Sequence, residues 1–337
     1  MSTISYLEAV VVGALQGVSE LFPVSSLGHS VLVPALVGGR WATDLSVTRP
    51  GSPYLAVLVA MHVATALALV VHYRRDWVRI VGGLWESLRR RRITSPIARI
   101  GVLLVLGTIP VGIAGLILEA PLRDVLGKPI PAALFLAVNG LVLWLVERGR
   151  RTAADDSAAA PTPSDDAAAP QGATVDFSAQ PTLPMHAVAP GRAGVATAVS
   201  AEDRSDARVS RLGWRDALVV GGAQSLALLP GISRSGITMV AALRRGLRHD
   251  DAARFAFLLA TPVILAAGLL KMPSLFTAAE RPVLGPALVG SVVAGVAAYL
   301  SARFLSRWFH TGTLRPFAVY CVVAGLGSLV YLGLFAG

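Results

Sequence analysis

The residues of this chain that could do chemistry gather in two short stretches. The first reads Gln16-Gly17-Val18-Ser19-Glu20-Leu21-Phe22-Pro23-Val24-Ser25-Ser26-Leu27-Gly28-His29, and the second Pro230-Gly231-Ile232-Ser233-Arg234-Ser235-Gly236-Ile237-Thr238. In the first, a spacing of four puts Gln16 and Glu20 on one helix face, pointing where the following turn arrives. Ser25, Ser26 and His29 then fall at the start of the next helix, whose free N–H groups and positive dipole end suit an anion. The second stretch offers the Arg234 guanidinium, the hydroxyls of Ser233, Ser235 and Thr238, and a glycine-flanked turn at Gly231, with no carboxylate among them. Such a set of donors at a helix start describes an oxyanion or phosphate cradle.

The elements that carry these residues must lie in a membrane. Of the 337 residues 54% are hydrophobic and 15% charged, and the mean hydropathy is +0.63, too apolar for a soluble domain of this size. Apolar stretches at about 54–73, 100–118, 131–147, 254–270, 284–302 and 316–335 have the length of spans across a ~30 Å hydrocarbon core. Six transmembrane helices are therefore expected. At that depth a charge such as Arg234 costs a few kcal/mol at least, so its presence calls for an anionic partner.

The two stretches are related. Sliding the chain by 208 residues pairs Ala9 with Ala217, Val11 with Val219, Val12 with Val220, Gly13 with Gly221, Gln16 with Gln224, Leu21 with Leu229, Ser25 with Ser233 and Gly28 with Gly236. Such self-similarity marks a duplicated unit. Three spans follow each copy, an odd number, so the second copy must enter from the opposite side as an inverted-topology repeat.

Each copy, about 4–36 and 214–243, holds Pro23 or Pro230 at its centre, and its halves are too short to span. These read as two re-entrant helix-loop-helix hairpins that meet near the midplane, where irregular backbone survives only if buried or lining a cavity. The expected fold is an all-α polytopic membrane protein. Its first repeat occupies 1–150, a disordered Ala/Pro/Asp-rich linker 151–212, and its second repeat 213–337.

Loop charge orients it. Arg74, Arg75, Arg79 and Arg89 to Arg92, then Arg148, Arg150 and Arg151, then Arg244, Arg245 and Arg248, and last Arg303, Arg307 and Arg315 alternate with poorer loops at 37–52, 121–130 and 271–285. Placing the Arg-rich loops in the cytoplasm puts both termini outside and the linker inside. The net charge of +10 then belongs to lipid headgroups and topology, and a nucleic-acid partner is not expected. Lone Cys321 excludes an intrachain disulfide and Cys metal or redox motifs. The apolar N-terminus, lacking a basic region before Arg40, does not read as a cleaved signal peptide.

Ser19, Ser225 and Thr261 read as helix-to-helix glue. His72, His249 and His310 lie near Arg-rich loops and read as interfacial, and His186 falls in the linker. His62, alone in an apolar span, is open between packing and function.

Both motifs, in this order and over about 1–150 and 212–337, resemble the bacitracin-resistance type of undecaprenyl-diphosphate phosphatase. The resemblance implies hydrolysis of a C55 polyprenyl diphosphate lipid to the monophosphate carrier and inorganic phosphate in a bacterial inner membrane, with a divalent cation, Mg²⁺ or Ca²⁺, assisting. It also implies the roles. Gln16 and Glu20 match an acidic element that would hold the cation, Ser25, Ser26 and His29 a Ser-Ser-x-Gly-His element, and Gly231, Ser233, Arg234, Ser235 and Thr238 a Pro-Gly-x-Ser-Arg-Ser-x-x-Thr element on the phosphates. Gln16 stands where many members carry Glu, leaving one fewer carboxylate, and Leu27 where Thr is frequent.

The expected catalytic set is Glu20, Ser26, His29 and Arg234, with Ser26 as nucleophile activated by His29 or Glu20 and a metal-bound water as its competitor. Gln16, Ser25, Gly231, Ser233, Ser235 and Thr238 are expected to bind substrate. A homodimer is compatible with this architecture. The rival reading is a polyprenyl-phosphate transporter or flippase using the same site, since inverted repeats with midplane hairpins also build transporters. Lipid phosphatases with a histidine nucleophile do not fit, because no His follows Ser233-Arg234 until His249.

Overall fold

The computed structural model describes residues 4–49, 52–159, 200–277 and 281–335, the side chains of 151–159, 274 and 281 excepted, and every regular element among them is helical. In chain order these are α1 (Tyr6–Ser19), α2 (Ser26–Val37), α3 (Gly39–Asp44), α4 (Tyr54–His72), α5 (Arg74–Arg90), α6 (Pro96–Leu126) and α7 (Pro129–Ala159). After the undescribed stretch follow α8 (Ala201–Val209), α9 (Trp214–Gln224), α10 (Arg234–Arg244), α11 (His249–Lys271), α12 (Leu284–Trp308) and α13 (Arg315–Phe335). Six are long and apolar enough to cross a membrane: α4, α6, α7 over Pro129–Arg150, α11, α12 and α13. They coincide with the six stretches expected from hydropathy. Their outward faces expose Leu116, Leu269, Leu288, Val323 and Leu334, an apolar exterior suited to lipid.

The site-bearing helices are short. α1 and α2 have 14 and 12 residues, α9 and α10 have 11 each. At ~1.5 Å per residue none exceeds about 21 Å. A capping box starts α1, with Ser5 N–H donating to Glu8 Oε2 at 2.8 Å and Glu8 N–H to Ser5 Oγ at 3.2 Å. The turn at Pro23 ends that helical run, because proline lacks the N–H that the next turn needs. In the second stretch α9 runs into a 3₁₀ turn at Ser225–Leu228 before Pro230.

The short helices are wedged between spans. α1 packs on α12 and α9 on α6, while α4 lies against α11 and α12, and α7 against α13. The matched Gly13 and Gly221 permit these approaches. A Cβ on Gly13 would come within 3.0 Å of the Gly290 carbonyl carbon, and one on Gly221 within 2.6 Å of that of Gly107. α2 and α10 both touch α7, which brings the two Pro-containing turns together.

Two stretches expected to be irregular are helical. The Arg-rich loop after the first span is largely α5, which buries Ile80, Gly83 and Ser87. The expected linker 151–212 is helical at both described ends: α7 continues to Ala159, and α8 begins at Ala201. Residues 160–199 lie outside the described residues.

Composition misled here because α8 is held by ion pairs rather than apolar burial. Its Asp206, 2% exposed, accepts from Arg79 of α5 and Arg254 of α11, its Arg208 pairs with buried Asp251 at 2.5 Å, and Arg254 also grips Asp76. Buried carboxylates paired this densely stabilise a fold only when every partner is in place.

Candidate active site

Glu20 caps the end of α1, its N–H bonded to the Gln16 carbonyl at 3.0 Å. The turn that follows ends in Ser25, whose φ of +70° is one that residues with a Cβ rarely adopt and costs about 1–3 kcal/mol. Its hydroxyl oxygen holds that geometry. It accepts the Gly28 N–H at 3.2 Å, capping α2, and the Gly231 N–H at 3.2 Å from the other turn.

The second turn is fitted the same way. Ser233 caps α10 by accepting the Gly236 N–H at 3.1 Å. The hydroxyls of Ser233 and Ser235 point back to the Phe22 carbonyl at 3.4 and 3.2 Å. Asn139 of α7 clasps both turns, donating from Nδ2 to the Pro23 carbonyl and accepting the Ser233 N–H at Oδ1, each at 3.0 Å. Gly231 has φ +110°, and a Cβ there would lie 2.6 Å from the Leu136 nitrogen, so no other residue fits this crossing.

Between the two helix starts sits the Glu20 carboxylate, 7% exposed. Its Oε2 accepts the Ser26 hydroxyl at 2.5 Å and the Gln16 amide at 3.0 Å, and lies 3.3 Å from His62 Nε2. Its Oε1 faces Arg234 Nη1 at 3.7 Å. Without these donors a carboxylate so buried would be costly. Arg234, with its side chain 26% exposed, leaves part of its guanidinium available to a ligand.

Eight of the ten expected residues fall into two groups. Gln16, Glu20, Ser26 and Arg234 converge on one centre. Ser25, Gly231, Ser233 and Ser235 instead spend their polar groups joining the turns, so their geometry makes them the frame of the cradle. Thr238 Oγ1, one turn along α10 from Arg234, is buried without a hydrogen-bond partner among the described residues. His29 does not reach Ser26. Its Nδ1 takes the Ser25 carbonyl at 2.7 Å and its Nε2 the Tyr320 hydroxyl at 2.7 Å, with the two rings stacked at 5.7 Å. The ring is held instead by Tyr320 of α13, and the carboxylate beside Ser26 is that of Glu20.

Three participants were hidden in the sequence. Asn139 and Tyr320 sit in apolar spans with no motif around them, and only their rarity as polar groups there could have flagged them. His62, open at the sequence level, reaches the centre from α4.

Among the described residues no three His, Cys, Asp or Glu side chains converge as a metal cage. A cation bridging a diphosphate needs less, because substrate oxygens and water complete its coordination. The Glu20 carboxylate, with the buried Gln16 amide beside it and the Gln16 Oε1 without a hydrogen-bond partner among the described residues, fits such an ion.

Comparison with known proteins finds a matching family model and several similar proteins. The family model described as Bacitracin resistance protein BacA matches residues 9–169 and 178–327. Undecaprenyl-diphosphatase 1 of Frankia casuarinae is 53% identical over 371 aligned residues, covering 99% of this chain and 100% of that protein. Undecaprenyl-diphosphatase of Mycolicibacterium paratuberculosis is 54% identical over 98% of each chain. Undecaprenyl-diphosphatase 2 of Burkholderia lata is 39% identical, covering 95% of this chain and 94% of its own.

Proposed function

This chain belongs to the Bacitracin resistance protein BacA family, and from that premise we infer that it is a membrane undecaprenyl-diphosphatase working at the Glu20–Ser26–Arg234 centre. It hydrolyses undecaprenyl diphosphate to undecaprenyl phosphate and inorganic phosphate. The observation that carries the site assignment is the 2.5 Å hydrogen bond from Ser26 Oγ to Glu20 Oε2, between two helix starts and facing a guanidinium.

Phosphoryl transfer needs charge neutralisation and an in-line nucleophile. Arg234 and the N-termini of α2 and α10 receive the diphosphate oxygens, with the Thr238 hydroxyl as a further donor. Ser26 Oγ attacks the terminal phosphorus while Glu20 takes its proton and hands it to the bridging oxygen as that bond breaks, which releases undecaprenyl phosphate and leaves Glu20 ionised again. Water then attacks the phosphoserine phosphorus, one of its protons passes to Glu20, and Glu20 returns it to the Ser26 oxygen as that oxygen leaves, which regenerates the hydroxyl and releases inorganic phosphate. Glu20 and the Gln16 amide oxygen are the groups that would hold a divalent ion, Mg²⁺ or Ca²⁺, whose chemistry is to offset the diphosphate charge.

In this reading the pairs α1–α2 and α9–α10 are re-entrant hairpins of an inverted repeat. Support comes from the exchange of contacts between halves, α1 with α12 as α9 with α6, and from the alternation of Arg-rich loops. Both termini then lie outside the inner membrane, and the end of α7 and the start of α8 face the cytoplasm.

The test is phosphate release from C55 diphosphate by purified protein in detergent, with and without EDTA. EDTA-sensitive release is expected, abolished by Arg234→Ala and Ser26→Ala. More than a tenth of wild-type rate in Ser26→Ala would transfer the attack to water, and substrate binding without any release would make the chain a lipid transporter.

A further inference from the structure

We propose that His62 is a direct nitrogen ligand of the divalent ion at Glu20, which makes the site favour a borderline metal such as Mn²⁺ over Ca²⁺. This inference rests on the preceding reading that a divalent ion works there.

Three observations lead to it. His62 Nδ1 lies 2.7 Å from the Leu58 carbonyl, and a carbonyl can only accept, so that nitrogen carries a proton. In the neutral ring Nε2 then presents a lone pair, and what it faces at 3.3 Å is Glu20 Oε2. Two acceptors this close need positive charge between or beside them. Arg234 does not supply it, because its guanidinium approaches the other carboxylate oxygen, Oε1.

The second observation is Gln16. Its side chain is fully buried, its Nε2 is 3.0 Å from the same Glu20 Oε2, and its Oε1 has no partner among the described residues. Half a turn of the amide presents Oε1 to that point in place of Nε2, and such flips are assigned from the network around them. A cation beside Oε2 then meets carboxylate oxygen, amide oxygen and imidazole nitrogen together.

The third is the support behind the ring. An imidazole fixed by a backbone carbonyl on its far nitrogen has the tautomer and orientation that metal-bound histidines carry. Glu20 is the one carboxylate at this centre, since position 16 is an amide, so a further donor is needed from another element. The other nearby imidazole, His29, has both nitrogens engaged by Ser25 and Tyr320. Calcium prefers all-oxygen sites, whereas imidazole suits transition metals, which sets the expected selectivity.

The experiment is Mn²⁺ titrated alone into the purified protein in detergent, followed by electron paramagnetic resonance and spin-echo detection of ¹⁴N coupling. Wild type is expected to show coupling from a directly bound imidazole. His62→Asn, checked for folding by size exclusion and circular dichroism, should lose that coupling, bind Mn²⁺ at least about tenfold more weakly and lose its preference for Mn²⁺ over Ca²⁺. Bound Mn²⁺ that Glu20→Gln releases, but without ¹⁴N coupling or with coupling that survives His62→Asn, would overturn the assignment and leave His62 as an imidazolium partner of Glu20. No Mn²⁺ bound to wild type would overturn it too. Phosphate release insensitive to EDTA would in addition remove the cation from the proposed mechanism.

Discussion

Gln16 and Gln224 hold matching places in the two related stretches and end in opposite circumstances. Gln16 donates to Glu20 at 3.0 Å, whereas both polar atoms of Gln224, 1% exposed, have no hydrogen-bond partner among the described residues. The difference lies one turn on, where Leu228 stands in the place of Glu20. Likewise Arg234 occupies the place of Ser26, and Ile237 that of His29. The caps, Ser25 and Ser233, are retained in both. The two related stretches thus supply two like helix starts that carry unlike groups: acid and hydroxyl on one, guanidinium on the other.

The most severe way to break this comparison is Glu20→Gln. It leaves the size of the side chain and removes the base from Ser26, and turnover should fall about 10²–10⁴-fold, read as phosphate release at saturating substrate. A variant with near wild-type turnover would mean that the acid half is no more chemical than the other. Next comes the crossing of the turns. Gly231→Ala puts a Cβ against the Leu136 nitrogen at a φ of +110°, and should lower stability by about 3 kcal/mol in thermal unfolding in detergent. Gly246→Ala, also at positive φ but with open space around it, should cost only about 1 kcal/mol.

Asn139→Ala deprives the Pro23 carbonyl and the Ser233 N–H of their shared partner, at about 1–3 kcal/mol for each group left unsatisfied. Because it loosens both turns at once, turnover should fall along with the melting temperature, and a stable variant with full activity would show that the clasp is dispensable. The smallest effect separates the halves most cleanly. Gln224→Leu replaces an unpartnered buried amide with an apolar group and should be neutral or stabilising by about 1 kcal/mol, with turnover kept. Gln16→Leu should lose turnover in the same assay.

The legible part of this protein was the part governed by local pattern. Spans from Tyr54 to Phe335 follow from runs of apolar residues matched to bilayer thickness, and the duplication from identities such as Gly13 with Gly221. The two motifs also come together in space, where Glu20, Ser26 and Arg234 converge. The finer roles were harder to read where polar groups had two uses. Ser25 and Ser233 look like phosphate ligands in sequence, but the same hydroxyl is also the best helix cap. His29 looked like the base for Ser26 because three residues separate them, yet ring direction and Tyr320 on a remote helix settle its partners. α8 looked like linker because its charge is high, and only Asp76, Arg79, Asp251 and Arg254 from other elements make that charge cohesive.

By itself the sequence determined the helical class, the number of apolar spans, the repeat and the residue types at the centre, because each is set by hydrophobic length, spacing and side-chain chemistry. Tertiary structure alone decided which hydroxyl meets the carboxylate, that Asn139 and Tyr320 support the turns, and that His62 joins from α4. The first crosses a single turn and the others join elements distant in the chain, and at 2.5–3.3 Å all depend on how helices pack rather than on any local preference.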